Sequence, residues 1–159
     1  MKAKEGVLEF LNQVLKSELT AVHQYLLHAA MCKNWGYGRL YEHFSHLANE
    51  EVGHSSGLID HLLYLEGAPA VEHLDQVGVG RTVADLLKAD LEFERDDVEL
   101  LRKGIAHCSK VNDFTTRHLL EHMIIDTEEH IDWFETQLRT IDQVGLAMYL
   151  AEHIKAIKS

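Results

Sequence analysis

Apolar residues recur at steps of three and four along four stretches of this chain, which is the period of a helix with one buried face. The first stripe reads Leu8, Leu11, Leu15, Glu18, Val22, Tyr25, Ala29, and the second Leu40, Phe44, Leu47, Glu51, His54, Leu58, Leu62, Leu65. The third reads Val83, Leu87, Leu91, Glu94, Val98, Leu101, Ile105, and the fourth Leu120, Met123, Thr127, His130, Phe134, Ile141. These stripes predict helices over about residues 5–34, 39–65, 82–110 and 114–142, with a short fifth helix from Leu146 to Ile157 after Gly145.

The punctuation between the stripes sets the topology. The first helix stops near Asn34-Trp35-Gly36, and the second at Glu66-Gly67-Ala68-Pro69, where Gly67 suits a helix C-cap and Pro69 blocks continuation. Thr82 with Asp85 resembles a capping box, and Asp113 is placed to N-cap the fourth helix. Residues 68–81 lack helical period and are too long for a simple hairpin turn. A connection of that length suits a crossover along a bundle, which makes the second and third helices parallel. The expected fold is all-α: one ferritin-like domain over residues 1–159, a four-helix bundle with a long crossover and a short fifth helix.

Each stripe carries at least one polar side chain near its middle. An ionised carboxylate among leucines costs several kcal/mol unless something compensates it. Carboxylate oxygen and imidazole nitrogen are both ligands for transition metals, so a divalent cation is the simplest compensating partner. Glu51 and His54 alone, an E-x-x-H on one helix, fit a salt-bridged or half-exposed pair as well as a ligand pair. Glu18, Glu51, His54, Glu94 and His130 together, converging from four helices, are the constellation of a di-iron carboxylate site.

Bulk properties narrow the classes. The 159 residues suffice for one domain with a substantial core, and 46% of them are hydrophobic. A formal charge of −11, from 26 acids against 15 bases, argues against a nucleic-acid surface. No apolar run approaches a membrane span, and the N-terminus has no apolar signal core, so a cytoplasmic protein is expected. Cys32 and Cys108 are isolated and read as buried thiols of a reducing compartment. Of the 12 histidines, His43, His61, His73, His107, His118 and His153 fall at positions that read as surface or helix ends.

The stretches Gln24-Tyr25-Leu26-Leu27-His28, Lys33-Asn34-Trp35-Gly36, Leu65-Glu66-Gly67, Ala89-Asp90-Leu91 and Glu129-His130-Ile131-Asp132-Trp133 resemble bacterioferritin, and the resemblance covers essentially the whole chain. It implies a hollow 24-subunit shell storing ferric mineral, an intrasubunit di-iron centre that oxidises Fe(II), and a haem held between paired subunits by methionine. It assigns the ferroxidase ligands to Glu18, Glu51, His54, Glu94 and His130, and an inner-surface iron site to His46 with Glu50. Tyr25 and Trp133 match aromatic positions through which the family passes electrons; both equally suit bulky core filling.

Two positions depart from the pattern. Thr127 stands where the family's second E-x-x-H begins, and a neutral, short hydroxyl does not bridge two cations. Glu128 faces away from His130 on a helix, whereas Asp126 lies close to its face and is the candidate substitute ligand. Val52 stands at the haem-methionine position and has no donor atom, which leaves a homo-oligomer without the axial ligand. The residues therefore support two functions: an iron-storing ferroxidase, or a structural shell subunit with an impaired centre that co-assembles with an active, haem-binding subunit. A small di-iron oxidase outside storage is the third reading, which the fifth helix disfavours. A ferredoxin-type reductant is compatible with the first two.

Overall fold

The computed structural model describes residues 1–158, in which five helices form: α1 (Val7–Asn34), α2 (Gly38–Tyr64), α3 (Val83–Lys110), α4 (Phe114–Val144) and α5 (Leu146–His153). Side-chain contacts fix their directions. His61, His54 and Glu50 of α2 meet Thr116, Asp126 and His130 of α4 in reverse order. Ser17 and Gln24 of α1 meet Asp97 and Asp90 of α3, also in reverse order. Consecutive helices of each hairpin are antiparallel, so α2 and α3 run parallel, as the crossover requires.

The crossover, residues 65–82, is held by side chains of α1 rather than by regular structure. Asn12 donates to the carbonyl of Ala68 and accepts from the amide of Ala70. Thr20 Oγ1 accepts from Asp75, and Gln24 Oε1 accepts from Gly78. The segment thus advances along α1 from its start toward its end. Deeper in, Asp90 takes hydrogen bonds from Gln24 at 2.6 Å and from His28 at 2.8 Å, while the other nitrogen of His28 reaches Gly78 O. Every polar atom of this buried group has a partner, as a buried network requires.

The caps follow the sequence with one exchange. Thr82 and Asp85 form both halves of a capping box, and Asp113 accepts from Thr116 N at the start of α4. At the end of α2, the left-handed residue is Glu66 (φ 59°), not Gly67. Glu66 N bonds Leu63 O and Gly67 N bonds Leu62 O, the two bonds of a Schellman motif. Glycine at 67 answers a packing demand instead: a Cβ there would meet Leu8 Cδ2 at 2.5 Å. The fifth helix ends at His153, four residues before its expected end, because Ile154 turns extended and Lys155 pairs with Tyr37. Gly38 permits that approach, since a Cβ on it would stand 2.2 Å from Lys155 O.

The apolar core is split in two. One cluster, with Tyr25, Phe44, Leu87 and Phe134, fills the end near α5; the other, with Leu11, Leu15, Leu62 and Leu120, fills the opposite end. The layer between them consists of the polar residues singled out above. Cys32 and Cys108 are buried free thiols whose pKa values burial pushes up to about 12 and about 11, so neither is a nucleophile.

Candidate metal centre

Glu18, Glu51, Glu94, Thr127 and His130 are all buried, and His54 is nearly so. Helical period puts each among apolar neighbours of its own helix, and the bundle brings the four helices' middle turns to one level. The donor atoms converge in two groups: Glu18, Glu51 and His54, and Glu51, Glu94 and His130, each with its ligand atoms within 4.8 Å of one another. Glu51 belongs to both. Its Oε2 lies 2.9 Å from His54 Nδ1, and its Oε1 lies 3.3 Å from His130 Nδ1, so each oxygen serves one side. Glu18 Oε2 is 3.2 Å from His54 Nδ1, and Glu94 Oε1 is 3.2 Å from His130 Nδ1. The Tyr25 hydroxyl donates to Glu94.

The far nitrogen of each histidine is also spoken for. His54 Nε2 faces Asp126 Oδ2 at 2.9 Å, and His130 Nε2 faces Glu50 Oε2 at 3.2 Å. A carboxylate on the outer ring nitrogen fixes imidazole orientation and tautomer, leaving Nδ1 for a cation. Asp126 therefore lies behind His54 rather than in the space shared by the two groups. Its carboxylate faces the outer nitrogen of His54, and it belongs to neither ligand group. Thr127 spends its hydroxyl on the backbone, donating to Met123 O at 3.0 Å. Among the described residues, Glu51 is the one carboxylate common to both groups.

Electrostatics reflect the crowding of acids. Burial, followed by the charges of Glu51 and Asp97, holds Glu18 well above the usual carboxylate range. Burial also raises Glu94, against the opposing hydrogen bond from His130. Glu51 goes the other way: burial opposes its ionisation, but hydrogen bonds from Glu18, His130 and His54 outweigh that and hold it low. Burial would lower His54 and His130, yet their bonds to Glu51 raise them to about 9, with help from Asp126, and to about 11, with help from Glu94. The metal-free layer is therefore an anion between two imidazolium rings, flanked by two acids whose pKa values burial raises.

A pH dependence follows. Both histidines bind protons more tightly folded than unfolded, so their stabilisation is complete below an unfolded pKa of about 6.5 and is lost as pH rises through the folded values. The metal-free protein is expected to lose stability between pH 7 and 10, with His54 titrating first. Urea midpoints measured across that range should fall, and His54→Gln should flatten the early part of the decline. A midpoint that rises with pH would contradict the protonated layer.

His46 and Glu50 face each other at 3.5 Å on a more exposed stretch of α2. They line a cavity of about 200 Å³ with His43, Glu129, His130 and Trp133. His43, read from sequence as a bystander, is half-buried and stacked on Trp133 with ring centroids 3.7 Å apart. Its Nε2 is buried without a hydrogen-bond partner, and burial lowers its pKa to about 4. His61, another of that set, bonds Thr116 across the bundle. Sequence reasoning also missed Ser17 and Asp97, a buried pair beside Glu18. The polar positions next to the stripes on α1 and α3 were the available signal.

Val52 of α2 is 51% exposed. Met31, the nearest methionine by family position, packs against the core cluster. Val52 has no donor atom for a haem iron, and Met31 is partly buried.

A ferritin-like domain family matches residues 8–144. The chain is 40% identical to a bacterial ferritin of Pseudomonas aeruginosa over 155 residues, covering 97% of this chain and 100% of the relative. It is 38% identical to a bacterial ferritin of a Synechocystis species over 151 residues (94% and 97%). A bacterioferritin of Mycobacterium leprae is 38% identical over 152 residues (96% of each). With the helical bundle, the crossover and full-length likeness in agreement, the chain belongs to the bacterioferritins of the ferritin-like superfamily.

Proposed function

We propose that this chain is an iron-storage subunit that binds two Fe(II) ions as substrate in the polar layer, oxidises them, and passes ferric iron to the interior of a shell of 24 copies. The observation that carries this reading is the pair of ligand groups sharing Glu51. Glu18, Glu51 and His54 supply a complete three-residue set for one ion. Glu94, His130 and a share of Glu51 supply the other. Oxidation removes one electron from each ion, and dioxygen or hydrogen peroxide accepts them; peroxide takes two electrons and two protons to give two waters. Tyr25, bonded to Glu94, and Trp133, which lines a cavity with His130, are the aromatic residues through which an electron would pass in this reading. His46 and Glu50 serve as the inner-surface site, with Glu50 also touching His130.

A second reading is favoured by Thr127. With its hydroxyl bonded to Met123 O, the chain lacks a second bridge, which suits a shell subunit of reduced activity working beside an intact partner. Comparing the purified homo-oligomer with Thr127→Glu separates the two. Crystals soaked anaerobically in Fe(II) should show a stronger metal peak beside His54 than beside His130. Thr127→Glu should equalise the peaks and speed Fe(II) oxidation. Equal, full occupancy in the unmodified protein would show that water or another group replaces the bridge. No iron uptake without a partner subunit would favour the structural reading.

A further inference from the structure

Asp97 is a buried acid that the ligand sets leave unused and that, unlike Asp90 with His28, has no histidine partner among the described residues. It stands on α3 one turn beyond Glu94 and is only 5% exposed. Its side-chain hydrogen bond comes from a neutral group, Ser17 Oγ, which donates to Oδ1 at 2.6 Å. Among the described residues no ion pair reaches it; the charges that act on it or on its neighbour Glu18 include Glu94, Glu51 and the opposing His54. Burial and those acids, working against the Ser17 bond, raise its pKa to about 7. A carboxylate so placed is destabilising in a metal-free core, and the bundle would be better packed with an apolar residue there.

The charge count of the filled centre gives it a purpose. Two divalent ions bring four positive charges, and the histidines that bind them are neutral. Glu18, Glu51 and Glu94 bring three negative charges, because Thr127 contributes none. Asp126 and Glu50, behind the histidines, are 46% and 37% exposed and screened by water, so within the buried layer a positive charge would remain, felt over several ångströms. We infer that Asp97 is the fourth anion of this centre: a positioning and charge-balancing residue, not a ligand, which supplies from α3 the charge absent at position 127 and holds Ser17, and through it the Glu18 turn of α1, against α3. The inference rests on the two-metal reading above. Asp97 acts from behind Glu18 and Glu94, so it restores charge but not the second bridge.

Titration of the metal-free, full-length protein with Co(II), followed by its visible absorption, tests this. Wild type should take up two equivalents. Asp97→Asn, nearly isosteric and still able to pair with Ser17, should bind the second on the order of tenfold or more weakly. Its metal-free melting temperature should stay level or rise, which a merely structural role would not produce. Adding Thr127→Glu to Asp97→Asn should restore the second equivalent, because charge is returned from a different helix. Asp97→Ser gives the same comparison should the amide disturb packing. Two equivalents bound by Asp97→Asn as tightly as by wild type would overturn the inference, as would failure of the Thr127→Glu rescue. If wild type takes up no cobalt at all, the metal-centre reading itself falls; that outcome is distinct from an unchanged Asp97→Asn.

Discussion

Glu51→Gln should abolish tight metal binding at both positions, whereas Glu18→Gln should abolish it at one. Glu51 is the carboxylate whose two oxygens face different histidines, at 2.9 Å and 3.3 Å. In most such centres the loss of one bridge leaves a second, but Thr127 provides none. Removing even an outer partner of a ligand typically costs about 10–100-fold in affinity, so losing the sole bridge should cost more than that at each position. Calorimetry with Co(II) or Zn(II) on the metal-free protein reads the effect directly. One equivalent still bound tightly by Glu51→Gln would mean that Glu51 does not bridge. Glu18→Gln, in contrast, should leave the Glu94–His130 position measurable, since Glu18 belongs to the His54 group.

Val52→Met should let the protein bind haem through a thioether at that position. The resemblance places the haem methionine at position 52, and Val52 is exposed there on α2. The substitution adds a donor atom without entering the core, so folding should be unaffected. Protein purified alone is expected to show no strong Soret band after haem supplementation, and Val52→Met is expected to show one. A stoichiometric band from the unmodified protein would require a ligand other than the residue at position 52.

The features legible in the sequence were those with a periodic signature. Glu18, Glu51, Glu94 and His130 could be found because each interrupts an apolar stripe, and a stripe reports which way a side chain faces. Thr82 and Asp113 could be found because a cap is a local arrangement of adjacent residues. Asp97 could not: it lies beside its stripe, and only the approach of α1 buries it against Ser17. The part played by Asp126 was equally hidden, since a helical wheel places it near His130 while the bundle turns it toward the back of His54. The end of α5 depended on a backbone pairing with Tyr37, far away in the chain. Gly67 misled for a related reason. Glycine marks either a left-handed turn or a tight contact, and the Leu8 side chain that decides between them belongs to another helix.

The lone bridge has a directional consequence. Glu18 precedes Glu51 by the same interval as Glu94 precedes Thr127, so the two hairpins would build matching halves if position 127 were acidic. Threonine breaks that equivalence on the side where His130 borders the cavity with Glu50, His46 and His43. Under the proposed chemistry the looser seat is therefore the one beside the exit, and the firmer seat lies behind it. Exchange through such a pair is ordered: the ion beside the cavity leaves first and is replaced first, while the one behind it stays seated.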